Sequence, residues 1–311
     1  MLAKIIVFSL YAILIIGVGL NGLRKTKSFN DFFLGGGNIG PWMSAFSYGS
    51  AYFSAVLFIG FAGKFGWSFG LSSLWIALFN ALVGVLGVWL FMGWKIKKMS
   101  IDYGVSTMSE FLEKRYNFPL YKLLATIVIF VFLIPYSAAV FMGLSYLFES
   151  SLGLPYVWVL VIIGVFASTY IMLGGYKSIA MIDMVFGIIK IACVILLMFV
   201  IINKGGGVNN IFSQMRNIDP KLTQSIGSAG FWQLFSIVML TSLAPFAMPQ
   251  LVQKFYAIKD RKSIRIGMFA STAFALIITG IAYFIGSTTR VFINAETFPD
   301  VFENGKPIYD R

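Results

Sequence analysis

The sequence predicts an all-α polytopic membrane protein of about eight transmembrane helices, two of them interrupted near their midpoints. Three observations lead there. Hydrophobic residues make up 59% of the chain and charged ones only 12%, too little charge to cover a water-exposed surface of this size. The apolar residues gather in long runs, and a bilayer core needs about 20 of them per helix. Basic residues collect on alternate loops.

In chain order the predicted spans are 3–22, 40–63, 69–92, 120–148, 156–173, 181–203, 232–252 and 266–289. The first is long enough to cross a bilayer and runs into Arg24-Lys25-Thr26-Lys27 without a small-residue cleavage site, so it reads as a retained helix. The second is broken around Gly49, Ser50, Tyr52, Phe53 and Ser54. The third leads to Lys95-Ile96-Lys97-Lys98 and to a stretch at 99–119, with Ser106, Glu110, Glu113, Lys114 and Arg115, that reads as one short amphipathic helix. The fourth carries Pro135-Tyr136; the fifth and sixth are joined through Gly174-Gly175. The sixth holds Asp183 and Lys190, and 204–231 follows as a loop of mixed character opening on Gly205-Gly206-Gly207. The seventh is broken by Pro245 and Pro249; after the eighth, the tail from 290 to 311 is polar and has no further hydrophobic span.

The net charge of +12 is a topology signal. Fifteen of the lysines and arginines fall on the odd-numbered loops, eight on the even-numbered loops and termini, and Lys190 inside a span. By the positive-inside rule the richer loops are cytoplasmic, so both ends of the chain are predicted to be extracytoplasmic. Clusters such as Lys95-Ile96-Lys97-Lys98 suit anionic headgroups, at about 1 kcal/mol per residue, and nucleic acid is not an expected partner.

Several functions are excluded. With no histidine, the chain lacks the usual proton shuttle and commonest metal ligand. One cysteine, Cys193 in an apolar run, forbids an intramolecular disulfide. Phosphate-loop, zinc and nucleophile motifs are absent, and Gly35-Gly36-Gly37 precedes a membrane span rather than following a soluble strand. Without paired intramembrane carboxylates the chain has little catalytic chemistry, and no enzyme activity or cofactor is expected.

The interruptions point elsewhere. A helix broken at membrane depth leaves backbone groups that lipid cannot satisfy. Such backbone persists where it faces protein or a wet cavity, as at the ion and substrate sites of transporters.

Phe29-Asn30-Asp31-Phe32-Phe33-Leu34-Gly35-Gly36-Gly37, Ala45-Phe46-Ser47, Gly60-Phe61-Ala62-Gly63, the stretch from Gly174-Gly175 to Asp183 and Pro249-Gln250-Leu251-Val252-Gln253-Lys254-Phe255-Tyr256 occur in order along the chain. This ordered set resembles the sodium/solute symporter family, which includes sodium/proline, sodium/sugar and pantothenate carriers. The resemblance implies a LeuT-type fold of two inverted five-helix repeats in a single transmembrane domain. The first span is an extra helix, 40–203 the first repeat, 232–289 the start of a second, truncated repeat, and 290–311 an external tail. It also implies that the helix completing the sodium site lies outside this chain, which reads as a fragment, a truncated reading frame or a protein that cannot work alone.

By the same resemblance, the carbonyls of Ser50 and Phe53 are the expected sodium ligands and Asp183 lies on the sodium exit route. Gly49, Tyr52, Ser54, Tyr136, Thr241, Pro245 and Pro249 are the expected substrate-cavity residues. Tyr52 stands where the proline carrier has an aspartate, and Thr241 and Pro245 replace two of that carrier's substrate residues, so proline is not the expected solute. Lys190 is seven residues beyond Asp183, too far for direct contact, and is expected to snorkel or to face a cavity. The implied function is sodium-coupled import of a small organic solute, with the coupling ion sodium and the lipid bilayer as partners. A sensor built on the same module and an inactive fragment are the alternatives.

Overall fold

The computed structural model describes residues 2–23, 28–54, 56–293, 298–299, 302–303 and 306–307. The basic run at 24–27 and most of the tail beyond 293 lie outside the described residues. Helices occupy all eight expected spans. Gly60–Tyr103, Pro119–Leu152, Gly174–Lys204, Phe231–Ala257 and Arg261–Phe292 are long and apolar enough to cross a membrane, and Ser9–Leu20 and Tyr156–Met172 are shorter apolar helices.

Local sequence explains where the helices stop. Pro119 opens Pro119–Leu152 at a position where its missing N–H costs nothing, and Gly153 closes it at a φ of 68°. Gly175 leaves the helical region, with φ 60° and ψ −176°, and divides the fifth span from the sixth. A side chain there would also meet the backbone of Phe32, so glycine meets two demands at once. Asp260 caps Arg261–Phe292 by accepting the Ser263 N–H at 2.7 Å, and that bond holds its carboxyl below the ordinary carboxylate range.

Two connecting stretches differ from expectation. The segment 99–119 is not one helix: Trp94–Tyr103 ends on Gly104 in the left-handed region, and Met108–Tyr116 starts anew behind the Thr107 cap. The loop 204–231 contains a helix, Val208–Ile218, that buries Ile211 and Met215. Its short length and polar face hid it among the flanking glycines.

The bundle is built around Arg261–Phe292. Gly66 and Gly286 let the backbones of two helices touch, since a methyl at Gly66 would lie 2.5 Å from the Gly286 carbonyl carbon. Such packing, not water exclusion, holds helices together in a lipid solvent. Tyr48, Trp89 and Phe255 form an aromatic knot with centroids 5.1–5.8 Å apart. Phe130, Trp158 and Phe199 point outward, as apolar side chains on a lipid-facing surface do. At one end of the bundle, Ile39 N–H donates to the Ala257 carbonyl and Lys259 N–H to the Ile39 carbonyl, each at 3.1 Å. These bonds clasp the entry of the first broken helix to the exit of the second.

Candidate functional site

The first broken helix runs from Pro41 to Tyr52 and leaves helical geometry at Phe53, with φ −92° and ψ 73°. The interruption is narrower than the sequence suggests, because Gly49 and Ser50 stay helical. Gly49 is small to admit the Phe274 ring against the helix. The chain restarts with Leu57 N–H donating to the Ser54 carbonyl at 3.1 Å. In an unbroken helix that N–H would serve Phe53, whose carbonyl is thereby released.

Side chains gather on this break. Lys190 Nζ donates to the Ser50 carbonyl at 3.4 Å and to the Phe53 carbonyl at 3.5 Å. One turn earlier, Ser47 Oγ donates to Asp183 Oδ2 at 2.7 Å, and Ser50 Oγ donates to the Asp183 carbonyl at 3.0 Å. Lys254 Nζ, from the second broken helix, donates to Ser47 Oγ at 2.7 Å and lies 3.4 Å from Asp183 Oδ2. The Lys254 side chain is 8% exposed and Asp183 21%, so this pair is screened far less than a surface one. The Tyr176 ring backs the ammonium at 5.2 Å.

The second broken helix comprises Phe231–Leu243, a tight turn at Ala244–Phe246, and Pro249–Ala257. Pro245 has no N–H to offer the carbonyl four residues back, which belongs to Thr241. Tyr52 fills the gap: its hydroxyl donates to the Thr241 carbonyl at 2.8 Å and accepts from Asn80 Nδ2 at 2.9 Å. Pro249 starts the next segment at the position proline tolerates best. Between this segment and Pro119–Leu152 opens a mostly apolar cleft of about 940 Å³, lined by Tyr136, Phe132, Met248, Pro249 and Gln250 among others.

The expected site residues therefore separate into groups. Ser50, Phe53 and Asp183 come together, along the inner face of one break. Tyr136 and Pro249 line the cleft. Tyr52 and Thr241 are bound to one another, Pro245 is buried near Gly84, and Gly49 is covered by Phe274. Ser54 gives its carbonyl to the restarting helix. Lys190 makes no ion pair with Asp183 among the described residues; its partners are the two carbonyls. Lys254 and Asn80 were missed. Lys254 lies in a segment whose basic residues read as loop charge, and no local spacing links it to an aspartate 71 residues away.

The described residues thus form a helical bundle in which two interrupted helices meet at a polar cluster. The model of the sodium:solute symporter family matches residues 32–303, and the chain belongs to that family. It is 28% identical over 287 residues to the osmoregulated proline transporter OpuE of Bacillus subtilis, covering 89% of this chain and 58% of the relative. It is 30% identical over 279 residues to the high-affinity proline transporter PutP of the same organism, covering 86% and 58%. The sodium/pantothenate symporter of Escherichia coli is 26% identical over 292 residues, covering 91% and 59%. The chain thus spans somewhat over half the length of these relatives. Its fold resembles a solved, substrate-bound, outward-open structure of a Na+-coupled sialic acid symporter, with a TM-score of 0.75 at 19% identity, covering 95% of this chain and 61% of that one.

Proposed function

We propose that the chain forms the core of a sodium-coupled secondary transporter that imports a small organic solute by alternating access. The observation that carries this reading is the break at Phe53. There a membrane-embedded backbone presents two carbonyl oxygens to a positive charge, beside a carboxylate. Backbone carbonyls are hard, neutral donors that replace an alkali ion's hydration without burying a fixed negative charge. Ser50 and Phe53 are the cation ligands in this reading, and Asp183 lies on the ion's route. Tyr136 and Pro249 face the solute. The names of the relatives support a small solute such as an amino acid or a vitamin. The chain sits in the membrane with both ends extracytoplasmic, in line with the distribution of its basic residues.

Uptake of labelled amino acids, vitamins and carboxylic acids into proteoliposomes, with and without an inward sodium gradient, tests the reading. Accumulation of at least one solute under the gradient is expected, slowed by Asp183→Asn. A panel in which nothing moves under either condition overturns it.

A further inference from the structure

The two carbonyls that suit sodium already have a cation. We propose that the Lys190 ammonium is the resident cation of the Ser50–Phe53 cradle, so that sodium and this side chain exclude one another. The inference rests on the reading of those carbonyls as a sodium site and adds a competitor to it.

Lys190 reaches the break from the sixth span, 140 residues away in sequence from Ser50, and donates to both released oxygens. At 3.4 and 3.5 Å these are long hydrogen bonds, centred between the oxygens rather than committed to either. That is how a tethered ammonium would stand in for a spherical ion. The nearby carboxylate makes no direct ion pair with it among the described residues: Asp183 is engaged by Ser47 and Lys254. The polar cluster thus holds two ammonium groups and one carboxylate. A further positive charge at the cradle would lie within a few ångströms of the Lys190 ammonium, in a medium where like charges repel far more strongly than in water. Sodium can enter only as Lys190 leaves.

The test is equilibrium binding of radiolabelled sodium to the purified chain in detergent, with choline as the replacing cation. Lys190→Gln and Lys190→Met remove the charge, whereas Lys190→Arg keeps it. The two neutral variants are expected to bind sodium about tenfold more tightly or better, with the arginine variant as weak as the parent. Equal or weaker affinity in folded neutral variants overturns the proposal and leaves the sodium site standing. Sodium binding to none of the four proteins overturns both. A measurement on the parent chain needs no variant: mass-spectrometric counting of an amine-reactive label on Lys190. Labelling that rises with sodium but not with choline supports displacement, and labelling indifferent to sodium overturns it.

Discussion

The two broken helices face the same difficulty and meet it in different ways. Each releases backbone carbonyls inside the bundle, where lipid and distant water cannot help. At the first break a charged side chain, Lys190, spans two carbonyls with long bonds. At the second a neutral hydroxyl, Tyr52, makes one short bond to the Thr241 carbonyl and is itself held by Asn80. A short neutral bond with a second-layer partner fixes geometry. A long, shared, charged contact is one that another cation can replace. Under the proposal above, exchange belongs to the first break and rigidity to the second.

The largest expected effect strikes the charged side. Lys254→Met leaves Asp183 without its charge partner and should cost about 3 kcal/mol, as loss of one member of a buried pair does. Lys254→Met combined with Asp183→Asn should recover part of that loss, read from thermal unfolding in detergent. An undamaged single variant would show that charge does not hold the first break together.

Next comes Tyr52→Phe. It strips the Thr241 carbonyl of its short bond and should cost about 1–2 kcal/mol while leaving sodium affinity unchanged. A change in sodium binding would erase the distinction between the two breaks. Ser47→Ala removes a hydroxyl that both donates to Asp183 and accepts from Lys254. A loss of about 1 kcal/mol is expected in the same assay.

The smallest effect lies outside the bundle, where water screens charge. The Asp260 carboxyl is held below its ordinary value by the Ser263 N–H. A folded-state value below the unfolded one means that its contribution is present above the unfolded value and disappears as pH falls through the folded one. The difference in unfolding midpoint between the parent and Asp260→Ala should therefore be constant near neutrality and shrink in acid. A difference that persists at pH values below both would place the cap's contribution in packing.

Much of this architecture was readable before the structure. Apolar run length located the spans, and Pro245 and Pro249 located the second break, because proline's missing N–H acts within one turn. The first break was found but drawn too wide, starting at Gly49 where the helix still runs. Gly49 and Ser50 look like helix breakers by composition, yet Gly49 is small because Phe274 packs on it, and a tertiary neighbour leaves no local mark. The helix at Val208–Ile218 was hidden for a related reason, its glycine-rich approach reading as loop. The meeting of Lys254 with Asp183 and of Lys190 with the carbonyls depends on how spans from distant parts of the chain cross. Sequence spacing carries periodicity within a helix, not the identity of the helix opposite.

The backbone clasp between Ile39 and the strand-like turn at Ala257–Lys259 has a mechanical meaning. Two hydrogen bonds, each 3.1 Å, yoke the approach to one broken helix to the far end of the other. Yoked members are held together at that end whatever the side chains around them do. The spacing of the two broken helices is therefore set at Ile39 and Ala257, by backbone atoms that no side-chain substitution removes.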